Sequence, residues 1–388
     1  MAAVSPWPHR AHGVGGRCVT RPELRALTSV RGLAAWLVVA YHIRGSIAGL
    51  PAGAEAVLAK GYLAVDFFFL LSGFVIWLTY GDGLRRAGPA QIPRFMWRRL
   101  ARIWPLHAVM LGAATALALA LAATGRHDPV RFPFAELPLH LVLIQNWGFT
   151  DALSWNDPAW SISCELAAYL LFPLLVVAVD WRRVPGWAVA GAGAGMLALL
   201  HLIFESRGAT ALGADITHLG LIRCGCEFAA GTALAALWER LRPHAWAAPI
   251  AGIAAAIAAA GWALGVAETL AAPMVFAPLL LLLALTAGRR GNPLEGRVFH
   301  YLGDISYATY LGHFLLYIVF KLVLVRDADA VPPGLIALYL LLVLASSVVL
   351  FHGVERPAQR WLNALWHRRF ARSGPSAIAA TAPAPYRS

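Results

Sequence analysis

The sequence predicts an all-α integral membrane protein, a polytopic bundle of about ten transmembrane helices. Two observations predict this fold. Only 13% of the 388 residues are charged and 59% are hydrophobic, whereas a soluble domain carries about 25% charged residues. The hydrophobic residues also gather in runs of about 20, the length that an α-helix needs to cross the hydrocarbon core of a bilayer. The lipid bilayer is therefore the first partner that the sequence predicts.

The predicted helices fill most of the chain. Residues 1–26 form a basic leader that we expect to be cytoplasmic and disordered. The segment 137–144 in the longest loop is apolar but too short to cross the bilayer. The transmembrane domain covers 27–362, and a partly disordered cytoplasmic tail covers 363–388. The ten spans are predicted at 27–50, 61–80, 103–124, 158–179, 184–204, 216–238, 245–266, 270–287, 299–325 and 334–354.

The positive side chains predict the orientation of the bundle. If the N-terminus is inside, 24 of the 32 Lys and Arg residues lie on the inner side: in the leader, in every second loop, after the tenth span, and at Arg31 near the start of the first span. Cytoplasmic segments carry such an excess, so both termini are predicted to be cytoplasmic. The formal net charge of +12 then reflects topology. Because there is no basic helix or RNA-binding signature, we expect no nucleic acid as a partner.

The four cysteines predict neither a disulfide framework nor a metal site. They are too few and too scattered for a framework, at Cys18, Cys164, Cys224 and Cys226. One residue separates Cys224 from Cys226, whereas a zinc half-site places two to four residues between its thiols. We therefore expect small buried side chains and no bound metal.

The first predicted span carries two ionisable side chains, Arg31 and His42. Eleven residues at 100° each bring them within about 20° of the same helix face, about 16 Å apart along the axis. Placing a charge inside a membrane costs at least ~2.5 kcal/mol, so such residues suggest a function. An imidazole can remove a proton from a hydroxyl as it attacks a carbonyl. The alternatives are that Arg31 reaches the inner interface and that His42 forms hydrogen bonds within the bundle.

An arginine cluster precedes the third span at a predicted cytoplasmic entrance. It contains Arg98, Arg99 and Arg102, of which Arg99 and Arg102 lie one helical turn apart. A guanidinium is well shaped for recognising phosphate. The alternative is that these arginines only mark the orientation of the protein.

Two acids lie within predicted spans and need partners. Asp66 stands among phenylalanines and requires a partner such as an arginine, in either a structural or a catalytic pair. Glu165 lies just inside the fourth span, which the chain enters from the outer side. It is expected to orient His42 or to hold the hydroxyl of an acceptor. Its structural alternative is an ion pair with one of three arginines, Arg31, Arg44 and Arg223.

The ninth span carries a polar face. Asp304, Tyr307 and Tyr310 share that face, which is therefore predicted to line a cavity. His313 is expected to be a histidine satisfied by hydrogen bonds between helices. Glu355, at the end of the tenth span, is expected to form a structural ion pair or to end the helix.

Together these segments resemble the membrane acyltransferase family 3, which includes bacterial polysaccharide O-acetyltransferases, Nod-factor acetyltransferases and macrolide acyltransferases. Each motif is weak alone, but six in order are specific. They are 31–42 (RGLAAWLVVAYH), 61–74 (GYLAVDFFFLLSGF, with Asp66 and Ser72), 99–105 (RLARIWP), 160–173 (WSISCELAAYLLFP, with Glu165), 305–313 (ISYATYLGH) and 355–357 (ERP). Two departures stand out. Leu166 occupies a position where many members carry a second acid, and we expect a stand-alone form without the appended SGNH hydrolase-like domain.

The resemblance implies an O-acyltransferase of the bacterial inner membrane. Its donor would be cytoplasmic acyl-CoA, most commonly acetyl-CoA, and its acceptor a hydroxyl of a carbohydrate, glycolipid or related molecule. No cofactor would be bound permanently. His42 would act as general base or transient acyl carrier, and Arg31 would position the donor or stabilise developing negative charge. Arg98, Arg99 and Arg102 would hold the CoA phosphates.

The remaining polar residues are assigned less specific roles. Glu165 and Asp66 would orient His42, pair with arginines or hold the acceptor. The residues expected to bind substrate or support the polar site are Asp66, Ser72, Tyr307, Tyr310 and His313.

Two other functions suit a polytopic bundle with buried charges: a transporter or flippase of a glycan precursor or small polar molecule, and a sensor or scaffold without chemistry. We find no internal repeat, which counts against the common transporter architectures.

Overall fold

The computed structural model describes residues 24–370, which form helices and connecting loops with no β-strand among them. Cys18, nearly all of the predicted leader and most of the predicted tail lie outside the described residues. The long helices are α1 (Arg25–Ile43), α3 (Ala64–Ile76), α5 (Ile92–Ala123), α7 (Ala159–Ala178), α8 (Gly186–Ser206), α9 (Ile216–Leu241), α10 (Ala247–Ala263), α11 (Glu268–Thr286), α13 (Ser306–Leu324), α14 (Pro333–Leu350) and α15 (Arg356–Phe370). The short ones are α2 (Ala52–Leu58), α4 (Asp82–Ala87), α6 (Leu137–Leu141) and α12 (Arg297–Asp304).

The described helices confirm an all-α polytopic membrane protein. Eight helical stretches are long and apolar enough to cross a bilayer. One of them, Ala52–Ala123, has 72 residues and contains both the second and the third predicted spans. The shorter apolar helix α10 corresponds to the seventh. The cytoplasmic placement of the termini stays a prediction.

Two helix boundaries differ from the predicted spans. α5 begins at Ile92, well before the predicted start of the third span, and runs for 32 residues. The arginine cluster is therefore part of a helix that continues into the bundle. The ninth span, predicted as one helix, is two, because Ile305 separates α12 from α13.

Close packing against α1 accounts for the position of this break. A Cβ at Gly303 would clash with the backbone carbonyl of Thr28, and one at Gly32 would lie 2.7 Å from the Gly303 nitrogen. α12 thus follows α1 in backbone contact. The Ser306 hydroxyl then donates to the Gly303 carbonyl at 2.7 Å, which satisfies a backbone group where the helix is interrupted.

Glycines also set the spacing between α3 and α9. A Cβ at Gly73 would clash with the carbonyl of Phe228, and one at Gly231 would clash with the carbonyl of Leu70. Gly61 similarly lies against the carbonyl of Leu37 in α1. Gly73 and Gly61 therefore serve helix packing.

Candidate functional site

A cavity of about 170 Å³ lies between α1, α3, α5, α7 and α13. Its polar wall contains seven of the eleven residues that the sequence predicts for the site. The polar lining is Arg31, Ser72, Arg99, Arg102, Ser161, Glu165, Tyr169, Ser306, Tyr307 and Tyr310, and the rest is apolar, mainly Phe, Val, Leu and Ile. Motifs far apart in the sequence thus meet at one place.

Glu165 is held by two hydroxyls. Ser72 of α3 and Tyr169 of α7 both donate to its Oε1, each at 2.5 Å. Tyr169 lies one helical turn beyond Glu165, which places the two side chains on the same face. Among the described residues, no arginine lies within ion-pair distance of Glu165, so the predicted structural alternative is wrong. The carboxylate is instead fixed in the cavity wall by neutral donors.

The three cavity arginines have different partners. Arg99 donates to the Tyr80 hydroxyl at 2.9 Å, and its guanidinium lies over the rings of Tyr80 and Tyr169, at 5.0 and 5.8 Å. Arg102 forms an ion pair with Glu355, whose side chain is 1% exposed. For Arg31, no hydrogen bond or ion pair joins it to another residue in the part of the chain that the structure describes. Arg31 therefore has five unengaged N–H donors beside the cavity.

The pairing of Arg102 with Glu355 bears on two predictions. It confirms the structural ion pair expected for Glu355. It also means that Arg102 meets any anionic ligand with its charge already balanced in part. Tyr307 completes this corner, because its ring lies under the Arg102 guanidinium at 5.6 Å and its hydroxyl donates to the Ile103 carbonyl at 2.6 Å. Arg98 belongs to the same helix but does not line the cavity.

Asp66 has the arginine partner that the sequence requires. Nε and one Nη of Arg223, in α9, donate to the two carboxylate oxygens of Asp66 at 2.6 and 2.5 Å. The other Nη donates to the Leu212 carbonyl at 2.9 Å. Both side chains are buried, and neither lines the cavity. The pair joins α3 to α9, which supports the structural alternative for Asp66.

His42 and His313 lie together, outside the cavity lining. Nδ1 of His42 is 3.2 Å from Nε2 of His313, and the ring centroids are 5.0 Å apart. This contact between α1 and α13 confirms that His313 is hydrogen-bonded between helices. Tyr310 connects the pair to the cavity, since its ring lies 6.3 Å from that of His313 and its hydroxyl is 2.8 Å from the Ser161 hydroxyl.

Sequence reasoning missed four residues of this site: Ser161, Tyr169 and Ser306 in the cavity wall, and Tyr80 beside Arg99. Tyr80 and Ser161 were not selected, because a hydroxyl in an apolar span gives little signal. Tyr169 belongs to the motif 160–173, and its spacing of four residues from Glu165 is the signal that would have found it.

Within residues 24–370, no group of three or more His, Cys, Asp or Glu side chains is placed to hold a metal ion. Three of the cysteines are buried free thiols, as expected, at Cys164, Cys224 and Cys226.

Comparison with known proteins identifies the family of the chain. The family described as an acyltransferase domain matches residues 24–352. Acyltransferase MdmB of Streptomyces mycarofaciens is 31% identical over an alignment of 374 positions that covers 88% of this chain and 93% of MdmB. O-acetyltransferase OatA of Staphylococcus aureus is 24% identical over an alignment of 225 positions that covers 53% of this chain and 34% of OatA. No solved structure matches. The chain therefore belongs to this acyltransferase family, and it is a multi-pass membrane acyltransferase.

Proposed function

We propose that the protein transfers an acyl group, most simply acetyl, from cytoplasmic acyl-CoA to a hydroxyl of a carbohydrate or related acceptor at the bacterial inner membrane. Membership of the family supports acyl transfer over the transporter, flippase and scaffold alternatives. The likeness to a protein named O-acetyltransferase supports oxygen as the acceptor atom and acetyl as the acyl group.

The observation that carries this proposal is the cavity in which three arginines and Glu165 converge. CoA presents phosphates and a neutral thioester arm. Guanidinium groups of Arg31, Arg99 and Arg102 would attract the phosphates, since arginine forms charge-assisted hydrogen bonds to phosphate. At about 170 Å³ the cavity is smaller than the ~300–1,000 Å³ of pockets that enclose drug-sized ligands. It would therefore hold the slender acyl-bearing arm, with the nucleotide at the mouth.

The chemistry proposed for His42 balances without a further reactant. His42 takes the proton of the acceptor hydroxyl while its oxygen attacks the acyl carbon. The new C–O bond forms, the C–S bond breaks, and the departing CoA thiolate receives the proton from His42. If His42 is instead a transient acyl carrier, its ring nitrogen attacks first and CoA leaves as the thiolate. The acceptor oxygen then attacks the acyl carbon, the C–N bond to His42 breaks, and the hydroxyl proton passes to the CoA thiolate. In both schemes Arg31 would position the donor, because about 16 Å along α1 separates it from His42.

The position of His42 supports a transfer path along α1. Arg31 lines the cavity, and His42 is eleven residues further on, about 16 Å along the axis. With the phosphates near the arginines, the thioester arm would extend toward the opposite end of α1. An acceptor hydroxyl would then meet the acyl group beside His42, on the side of the membrane away from the arginine cluster.

The experiment uses purified protein in nanodiscs with acetyl-CoA and a glycan and metabolite extract from cells that lack the protein. Free CoA is measured with a thiol reagent, and acceptors are identified by mass spectrometry as species that gain one acetyl group. We expect CoA release that depends on the extract and matches the acetyl gained. Extract-dependent acylation without CoA consumption would contradict the donor, and acetylation at nitrogen would contradict the acceptor. His244→Ala, an exposed loop position, serves as the control for mutating a histidine.

A further inference from the structure

The contact between His42 and His313 defines where the protons of both rings lie. Each ring places Nδ1 against the backbone carbonyl four residues earlier in its own helix. For His313 that acceptor is Thr309, at 3.1 Å, and for His42 it is Val38, at 2.9 Å. A carbonyl only accepts, so each Nδ1 must carry the hydrogen of its bond. The acceptors therefore assign the tautomers.

This assignment leaves His313 as an acceptor toward His42. A neutral imidazole has one N–H, and in His313 it is engaged with Thr309, so Nε2 carries a lone pair. That lone pair lies 3.2 Å from Nδ1 of His42. The Nδ1–H of His42 is thus shared between two acceptors, the Val38 carbonyl and His313 Nε2. The Val38 carbonyl also belongs to the backbone ladder of α1, so His313 supplies the acceptor that is otherwise unengaged.

The environment of His313 fixes its ring firmly. Its side chain is fully buried at 0% exposure, and its own backbone carbonyl accepts a hydrogen bond from the Tyr339 hydroxyl at 2.9 Å. Rings of Tyr310 and Phe314 surround it, with centroids at 6.3 and 6.5 Å. A ring held in this way can hold its neighbour, as a buried third group orients the base in a catalytic triad.

We propose that His313 is a positioning residue that keeps the neutral His42 protonated on Nδ1 and leaves Nε2 as the free base. The role of Nε2 in removing a proton rests on the proposed function, but the tautomer of His42 does not. When Nε2 takes the proton, Nδ1–H still points at a neutral lone pair. His313 thereby stabilises the imidazolium through a hydrogen bond, without the opposite charge that a carboxylate would place in the membrane.

The first test is spectroscopic and needs no substrate. The protein is labelled with ¹⁵N-histidine and placed in nanodiscs, and the His42 signals are identified by their loss in His42→Gln. At neutral pH we expect a protonated Nδ1 and an unprotonated Nε2. His313→Gln keeps an amide oxygen that can accept near the position of Nε2 and should keep this tautomer, whereas His313→Leu should give a mixture. A wild-type His42 protonated on Nε2 would overturn the proposal, and so would an unchanged tautomer in His313→Leu.

The second test compares acyl transfer in the same variants. His313→Leu should lower kcat on the order of 10²-fold, the smaller end of what a general base contributes, with little change in the KM for acetyl-CoA. His313→Gln should restore most of kcat. Equal losses in both variants would show that His313 only packs the bundle, which contradicts the proposal. If His42→Ala is fully active while the spectra agree, the role of His42 as base fails and the tautomer assignment stands.

Discussion

Arg31 and His42 share one face of α1, yet only Arg31 lines the cavity. His42 instead contacts His313 near the other end of the helix. One helix thus connects an arginine-rich cavity to a histidine pair, and both features come from a spacing of eleven residues. The proposed donor end and the proposed chemical end of the site are joined by a single rigid element.

Arg102 should show two separable effects. Arg102→Met leaves Glu355 buried without a partner, which we expect to cost about 3–5 kcal/mol of stability. The double variant Arg102→Met with Glu355→Gln should regain most of that stability and still bind acyl-CoA more weakly. Thermal unfolding in detergent and the KM for acetyl-CoA measure the two effects. Arg86→Ala, an exposed arginine on α4, is the control. A double variant with the wild-type KM would show that Arg102 acts only in its ion pair.

Replacing Asp66 should lower the stability of the folded protein, because the role of Asp66 is structural. Asp66→Asn leaves the buried guanidinium of Arg223 without its charged partner, with an expected loss of about 3–5 kcal/mol. Replacing both residues with leucine should restore part of this loss. Asp128→Asn removes an exposed ion pair with Arg131 and should change stability by less than about 1 kcal/mol. Unfolding curves in detergent test this. An Asp66→Asn protein of normal stability and no activity would support the catalytic alternative.

Gly73 should not tolerate even one added methyl group. In Gly73→Ala the new Cβ would meet the Phe228 carbonyl, so α3 and α9 must move apart. Gly225→Ala is the matched control. Gly225 lies on α9, the helix that carries Phe228, and a Cβ at Gly225 would meet nothing within 4 Å. We expect Gly73→Ala to lower both the yield of folded protein and the unfolding temperature, and Gly225→Ala to change neither. Similar unfolding temperatures for the two variants would contradict this account of the packing.

His140 should make the loop between α5 and α7 sensitive to acid. Burial, with a contribution from nearby His107, lowers the pKa of His140 to about 4, compared with about 6.5 in an unfolded chain. Between these values the unfolded state binds more protons, so stability falls as pH drops from about 6.5 toward 4, by at most about 1.4 kcal/mol per pH unit. Unfolding temperatures across this range should fall more steeply in wild type than in His140→Gln. His127→Gln, an exposed control, should follow wild type, and parallel curves for wild type and His140→Gln would contradict the prediction.

The membrane fold could be predicted because long apolar runs and arginine-rich loops leave a strong signal. The charged residues of the site could also be predicted, since charged side chains are unusual within apolar spans. Glu355 and Asp66 show how far this goes. The position of each acid in an apolar span indicated that it needs a partner. Only the fold shows that Arg102 pairs with Glu355 and that Arg223 pairs with Asp66.

The pairings between helices lay beyond sequence reasoning. The structural alternative for Glu165 was an ion pair with an arginine, but the hydroxyls of Ser72 and Tyr169 hold it. Hydroxyls in apolar helices satisfy a carboxylate without appearing as charges in the sequence. The break at Ile305 was missed because it depends on backbone contact with α1, and such contact leaves no periodic pattern along α12 and α13.

The most direct test of the central claim is acyl transfer by His42→Ala. The variant is purified beside wild type and His244→Ala, its insertion and unfolding temperature are verified, and acetyl-CoA turnover is measured with the extracted acceptor. We expect a folded protein whose transfer rate falls by at least about 10²-fold, while His244→Ala transfers at the wild-type rate. A folded His42→Ala protein with wild-type transfer would contradict the claim that the histidine at the end of α1 carries out the chemistry.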